Sequence, residues 1–106
     1  MLQRVRRRYL ALKTLSEQAI TKWDLIDAVW NAIHKLFGEY GASQVNLNII
    51  AHNSKITIIR CSHNALEMVR ASIASITKIN EKSVAIHVVR VSGTLKSIRE
   101  KMSLKI

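Results

Sequence analysis

The sequence has no proline, only three glycines and a single cysteine among its 106 residues. A lone Cys61 excludes an internal disulfide and predicts a reducing compartment, because small secreted domains depend on paired cysteines. Four scattered histidines beside one cysteine do not have the spacing of a zinc site, so we expect no metal ligands in this chain.

Long apolar runs are also missing. No stretch is long enough to cross a bilayer, which predicts that the chain does not enter a membrane. The opening segment MLQRVRRRYL carries charges, but no apolar segment of signal-peptide length follows it. These two absences predict a cytoplasmic protein.

Acidic residues are few: seven, against 17 lysines and arginines, with a net charge of +10. Residues 1–16 hold five basic residues and no acidic one, and residues 90–106 hold five basic residues and one acidic one. Residues 17–89 are almost balanced, with seven basic and six acidic residues. Basic ends could serve solubility alone, but solubility does not require one sign at both ends. The pattern predicts a polyanionic partner, because basic side chains displace its counterions.

Nearly half of the residues, 48%, are hydrophobic, which predicts a packed globule. A chain of this length fits one domain, so we assign residues 1–106 to a single domain with basic terminal segments. Alternating patterns predict strands at residues 8–15, 45–50, 55–61 and 84–89. Helical stripes run from Ile26 through Trp30 to Phe37 and from Leu66 to Ile76, and a short basic helix follows Leu95.

Local signals mark the ends of these helices. Thr21 precedes Asp24 by three residues and Asn64 precedes Glu67 by three, and both spacings are typical of a capping box. Gly38 and Gly41 mark the region where the first long helix ends, and Gly41 is expected to adopt the left-handed conformation that caps it. A turn is expected at residues 80–82.

The order of elements, strand–helix–strand–strand–helix–strand and then a short C-terminal helix, predicts an α+β fold. Two right-handed crossovers give a four-stranded antiparallel sheet with both long helices on one face. This is the ferredoxin-like, RNA-recognition-like βαββαβ sandwich. Proteins of unrelated functions share it, so the fold alone does not decide the function.

The alternation also predicts which side chains lie on each face of the sheet. The side chains expected to face the helices are Leu10, Leu12, Val45, Leu47, Ile49, Ile56, Ile58, Val84, Ile86 and Val88. The other, open face would then be half apolar, which is costly in water. Either a protein partner or the chain's own terminal helix would cover it, and the sequence favours neither. Only Tyr9 offers an aromatic ring near this face, so base stacking there is not expected.

Catalytic patterns are missing as well. The sequence has no clustered carboxylate pair, no glycine-rich phosphate loop and no nucleophile elbow, so no catalytic residue is assigned. Cys61 and His63 are close in sequence, but neighbours at a strand-to-helix junction usually point apart, and Cys61 is expected to pack in the core. The RNA-contact candidates drawn from the charge pattern are Arg4, Arg6, Arg7, Arg8, Arg60, Arg90, Lys96 and Arg99.

Four segments in the same order and spacing resemble the family of ribonuclease P protein component 2. They are Arg7-Arg8-Tyr9-Leu10, residues 36–43 (LFGEYGAS), Ile59-Arg60-Cys61-Ser62-His63, and Val91-Ser92-Gly93-Thr94. The resemblance implies a subunit that binds near the catalytic core of ribonuclease P RNA. That RNA, with magnesium, removes the 5′ leader of precursor tRNA, while the protein binds no cofactor and is not the catalyst.

The same resemblance implies a protein partner, ribonuclease P protein component 3, and a pair that can double into a heterotetramer. It also implies RNA-contact roles for the matching positions, which are Arg7, Arg8, Arg60, Ser62, His63, Arg90, Ser92 and Thr94.

Three other functions compete with this one. A small-molecule regulatory domain would need a glycine in the loop of residues 16–22, which has none. An acylphosphatase-type enzyme would need a phosphate cradle near the amino end, and no such motif is present. A generic structural RNA-binding protein, of ribosomal type, is the serious rival because charge and fold fit it equally.

Overall fold

A computed structural model describes residues 6–53 and 56–101. Its elements are β1 (Arg7–Leu15), α1 (Lys22–Ser43), β2 (Asn48–His52), β3 (Ile56–Ser62), a 3-10 turn (His63–Ala65), α2 (Leu66–Ser75), β4 (Lys78–Ile79), β5 (Lys82–Ser83), β6 (Ala85–Ser92) and α3 (Leu95–Lys101). The four longer strands form an antiparallel sheet in the order β2-β3-β1-β6. This order, with α1 and α2 on one face, confirms the predicted ferredoxin-like fold.

The first helix begins as predicted and ends differently. The Thr21 hydroxyl accepts a hydrogen bond from the Asp24 backbone N–H at 3.1 Å, which caps α1. The left-handed glycine, however, is Gly38, with φ 72° and ψ −177°, and the helix resumes after this kink. The prediction for Gly41 is therefore wrong. Gly41 is buried, and a Cβ on it would come within 2.6 Å of the Phe37 Cβ on the other side of the kink, so the kinked segment of α1 leaves no room for a side chain at this position.

The core lies between the sheet and the two long helices. Leu25, Val29 and Ile33 supply the buried stripe of α1, and they pack with Leu10 and Leu12 of β1. Removal of this apolar surface from water is the main favourable term for the fold. Phe37, predicted to continue the stripe, is instead 41% exposed next to the kink, and Trp23 at the helix start is 67% exposed.

The predicted facing of β3 is wrong. Leu10 pairs with Ile59 and Leu12 with Thr57, so Thr57, Ile59 and Cys61 face the helices. Ile58 pairs with Ala11 on the open face instead. Apolar residues lie on both faces of this strand, and its alternation therefore does not distinguish them. The register with β1 decides which set is turned inward.

Irregular pairing occurs at both edges of the sheet. β6 shifts register against β1 so that Leu12 pairs with Val88 and Ala11 with Arg90, which leaves Val89 as an extra residue. β2 has a similar shift between Ile49 and Ala51.

The start of α2 differs from the sequence-based expectation, whereas the turn near residues 80–82 agrees with it. The 3-10 turn precedes α2, whose N-cap position is Ala65 with no side-chain hydrogen bond, so the predicted cap by Asn64 is not formed. The turn predicted near residues 80–82 is the tip of the small β4–β5 hairpin, with Asn80 and Glu81 at φ 52° and 67°.

The terminal helix settles the question of the open face. Ile98 of α3 is fully buried in a second apolar cluster with Ala11 and Ile58, on the side of the sheet opposite α1 and α2. Half-buried side chains surround it, among them Leu95. The chain's own helix therefore covers the apolar part of this face. Within the described ranges, no helix is long and apolar enough to cross a membrane.

Candidate nucleic-acid interface

A row of polar side chains crosses the open face at one end of the sheet. Strand pairing places Asn48 opposite Arg60, Arg60 opposite Tyr9, and Tyr9 opposite Ser92. Directly paired residues of antiparallel strands project to the same side, so the four residues form one line across all four strands. Arg60, Tyr9 and Ser92 are each partly exposed, and Asn48 is exposed.

Two more arginines flank this row. Arg7 pairs with Ser62 on one side of it, and Arg90 pairs with Ala11 on the other. Both arginines are exposed. Three guanidinium groups that are far apart in the sequence therefore share one surface, which we call the basic half-face. It is defined by Arg7, Tyr9, Asn48, Arg60, Arg90 and Ser92.

The charge on the sheet strands that carry this surface is of one sign. The four strands of the sheet contain Arg7, Arg8, Lys13, Arg60 and Arg90, and none of them contains an aspartate or glutamate. All seven acidic residues lie in helices, loops or the small hairpin. Such a field attracts phosphates, and each arginine can hold a phosphate through two parallel N–H···O bonds.

The arginine run at the amino end does not act as one surface. Successive strand residues project to opposite faces, so Arg7 lies on the open face and Arg8 on the other. The Arg8 Nη1 donates to the Arg7 carbonyl oxygen at 3.3 Å and lies close to Gly93, where a Cβ would come within 3.0 Å of it. Arg6 is exposed, and its carbonyl oxygen accepts from the His63 N–H at 2.7 Å. Arg4 lies outside the described residues.

The Arg60-Cys61-Ser62-His63 motif joins β3 to the 3-10 turn. Ser62 is only 6% exposed, and its hydroxyl accepts from the Asn46 side-chain Nδ2 at 2.8 Å. Asn46 has a positive φ of 50°, so this bond holds an unusual backbone conformation beside the basic half-face. His63 is exposed. RNA contact by Ser62 and His63 stays a prediction.

The Val91-Ser92-Gly93-Thr94 motif starts the terminal helix. The Thr94 N–H donates to the Ser92 hydroxyl at 3.3 Å, and the Ser97 N–H donates to the Thr94 hydroxyl at 3.2 Å. These bonds orient α3 across the sheet. On α3, Lys96 is exposed, and Arg99 is partly buried, with its Nε hydrogen-bonded to no group among the described residues. RNA contact by Ser92, Thr94, Lys96 and Arg99 also stays a prediction.

Cys61 does not belong to this surface. It is fully buried and faces the helices, and burial raises the pKa of its thiol from 9.0 to about 11, although the nearby Arg8 lowers it. A protonated, inaccessible thiol is not a nucleophile. In the part of the chain that the structure describes, no group of three or more His, Cys, Asp or Glu side chains is arranged to hold a metal ion.

Sequence reasoning missed two members of the basic half-face, Asn48 and the central Tyr9. The alternation of β1 does put Tyr9 on the same side as Arg7, and that signal was available. The sequence did not show the register of β1 against β3, and so it did not show that Tyr9 lies opposite Arg60.

Residues 8–103 match the Rpp14/Pop5 family. The chain belongs to this family. It is 35% identical over 98 residues to ribonuclease P protein component 2 of Methanosarcina mazei, covering 92% of this chain and 84% of that relative. It is 33% identical over 100 residues to the same component of Pyrococcus furiosus, covering 92% and 83%. The predicted family is confirmed.

The fold also matches a chain in the cryo-EM structure of yeast ribonuclease MRP. The TM-score is 0.73 at 15% identity, covering 97% of this chain and 95% of that one. This likeness supports the ferredoxin-like fold of the present member of the Rpp14/Pop5 family.

Proposed function

We propose that this chain is a protein subunit of a ribonuclease P ribonucleoprotein, which removes the 5′ leader from precursor tRNA. Its relatives in Methanosarcina mazei and Pyrococcus furiosus bear the name of that subunit. The observation that carries the proposal is the convergence of Arg7, Arg60 and Arg90 on the open face of a sheet whose strands contain no acidic residue. The subunit binds the catalytic RNA there and supports its active structure.

The RNA performs the cleavage in this proposal. Magnesium belongs to the RNA, and the protein binds no cofactor of its own. Arginines on a rigid sheet neutralise phosphates that would otherwise repel each other, which favours a compact RNA at lower magnesium. The protein works in the cytoplasm.

A protein partner is part of the same proposal. We infer that ribonuclease P protein component 3 binds this chain and that the pair doubles into a heterotetramer. Because α3 already covers the apolar part of the open face, the partner is not needed there. Light scattering on the mixed proteins measures the mass of the assembly, and a mixture that runs as two separate monomers would contradict this point.

Reconstitution tests the function. The chain is added with its partner proteins to ribonuclease P RNA, and precursor-tRNA cleavage is measured at low magnesium. Wild type should stimulate cleavage, and the triple substitution of Arg7, Arg60 and Arg90 by Ala should abolish most of that effect. Arg70→Ala is the matched control, because Arg70 is exposed on α2 in the other layer. Removal of the 5′ leader by the protein in the absence of RNA would contradict the proposal that the RNA performs the cleavage.

A structural RNA-binding protein of ribosomal type is the second candidate, because the same basic half-face fits any structured RNA. A competition binding experiment distinguishes these two candidate functions. The subunit should prefer ribonuclease P RNA over a ribosomal RNA fragment of equal length at the same salt concentration. Equal affinity, together with no stimulation of cleavage, would favour the second candidate.

A further inference from the structure

Tyr9 is the one tyrosine, tryptophan or phenylalanine in the four strands of the main sheet. It occupies the centre of the basic half-face, opposite Arg60 on β3 and opposite Ser92 on β6. One flank of the ring packs against the apolar cluster beneath α3, and the side chain remains partly exposed. The ring is therefore fixed in place and still open to a ligand.

The neighbours of Tyr9 suit a nucleotide. Paired strands lie about 4.8 Å apart, so the Arg60 and Ser92 side chains begin within easy reach of a group resting on the ring. Arg7, two residues along β1 on the same face, adds a second guanidinium for phosphate. The Asn48 amide, beyond Arg60, offers both a donor and an acceptor for the edge of a base.

We propose that Tyr9 is a stacking platform for one unpaired base of the bound RNA, with Arg7 and Arg60 holding the adjacent phosphates. The proposal rests on the RNA-binding function above and specifies the kind of RNA segment that this surface takes. A base must leave its helical stack to lie on a protein ring, so the segment is single-stranded there. The surface is also bounded by α3, which closes off the neighbouring part of the sheet and leaves room for few nucleotides.

An abasic ligand isolates the stacking from the charge. The full chain is titrated with a short fluorescently labelled oligouridylate and with an abasic oligomer of the same length, which keeps the phosphates. Wild type should bind the oligouridylate about tenfold more tightly than the abasic strand, the range that base–aromatic contacts give. Tyr9→Phe keeps the ring and should keep most of this ratio. Tyr9→Leu keeps apolar packing against α3 but removes the aromatic plane, and its ratio should fall close to one.

Two controls fix the meaning of the result. Tyr40→Leu removes the other tyrosine, which is 81% exposed on α1 in the opposite layer, and should bind both strands as wild type does. Hydrogen exchange in α3 checks that Tyr9→Leu leaves this helix docked. A Tyr9→Leu variant that loses affinity equally for both strands would overturn the proposal, because Tyr9 would then act through packing alone.

The same titrations distinguish an incorrect stacking proposal from an incorrect RNA-binding function. If Arg60→Ala weakens binding while Tyr9→Leu keeps the wild-type ratio, the stacking platform is wrong and the RNA-binding face stands. If neither substitution changes the affinity for either strand, both the stacking platform and the RNA-binding face are wrong. Tighter binding of a blunt RNA duplex than of the oligouridylate, unaffected by Tyr9→Leu, would also overturn the platform.

Discussion

Arg60 lies directly opposite Tyr9 in the pairing of β1 with β3, on the face of the sheet away from α1 and α2. Residues from two strands that are distant in the sequence thus meet at the centre of one basic surface. Arg7 belongs to the same surface, whereas its neighbour Arg8 projects to the other side of the sheet.

Because Arg7 and Arg8 project to opposite faces of the sheet, we expect their substitution by Ala to affect RNA binding unequally. Arg7→Ala and Arg60→Ala should each lower the slope of log affinity against log salt by roughly 0.7 to 0.9, the effect of one lost phosphate contact. Arg8→Ala should change the slope less. Filter binding to ribonuclease P RNA over a salt series measures this, with Arg70→Ala on α2 as the charge-matched control. Equal slopes for the Arg7 and Arg8 variants would contradict the assignment of faces.

Docking of α3 depends on one fully buried side chain, Ile98. Ile98→Ala should weaken this contact by about 2 kcal/mol or more, because it leaves a cavity over Ala11 and Ile58. Hydrogen exchange should then show faster opening of α3, with α1 and α2 still protected. Glu100→Ala, an exposed change on the same helix, should leave the exchange unaltered. Faster exchange throughout the core would mean that α3 does not open separately.

The kink in α1 requires a glycine at position 38. Its φ of 72° and ψ of −177° fall in a region that essentially only glycine adopts, and a Cβ placed there would meet no side chain of the described residues within 4 Å beyond its chain neighbours. Gly38→Ala should therefore lower the free energy of unfolding by about 1–3 kcal/mol through the backbone alone. Urea denaturation measures this. Asn31→Ala, at an exposed position of regular helix on α1, should be neutral or slightly stabilising.

The thiol of Cys61 predicts a pH dependence with a definite sign. Burial keeps its pKa at about 11 in the folded chain, against 9.0 when exposed. Above pH 9 the unfolded state therefore loses this proton first, so the contribution of Cys61 to stability is complete below pH 9 and is lost as the pH rises toward 11. Urea denaturation across this range should show a smaller loss of stability for Cys61→Ala than for wild type.

Because the Cys61 thiol is buried, we also expect it to be protected from alkylation at neutral pH. An alkylating reagent should label Cys61 slowly in the folded protein and rapidly in urea, as measured by mass spectrometry. Rapid labelling of the folded protein would contradict both the burial of the thiol and its raised pKa.

Much of the fold could be predicted because patterning and caps agree with it. The alternation of β1, the Thr21 cap and the stripe of α1 each specify their element with little ambiguity. The facing of β3 could not be predicted, because isoleucines occupy both of its sides and the partner strand selects between them. The position of α3 was equally open, since its short apolar stripe fits a protein partner and the chain's own sheet alike.

For the site, composition indicated the charge, and motif resemblance indicated the arginines Arg7, Arg60 and Arg90, whose contact with RNA stays a prediction. What the sequence could not supply was their arrangement. Arg8 was grouped with Arg7 because they are adjacent, although the pleat of a strand separates adjacent side chains. Tyr9 was noted as the only aromatic ring near the open face and base stacking on it was not expected; only its pairing with Arg60 and Ser92 shows that it is central.

Val89, the extra residue in β6, fixes which of its neighbours meet the solvent. Strict alternation from Ile86 and Val88 would turn Arg90 and Ser92 toward the helices and Val91 outward. The added residue reverses this phase, so that Val91 packs against the core and Arg90 faces outward. If every residue stayed and the strand paired without this shift, Arg90 would replace Val91 at the core and two polar groups would leave the opposite side. Deletion of Val89 would instead restore regular alternation, with Val91 still inward and Arg90 and Ser92 still outward. Related chains should thus either keep one extra residue here or lack that one residue, and both forms should present the same neighbouring side chains to the solvent.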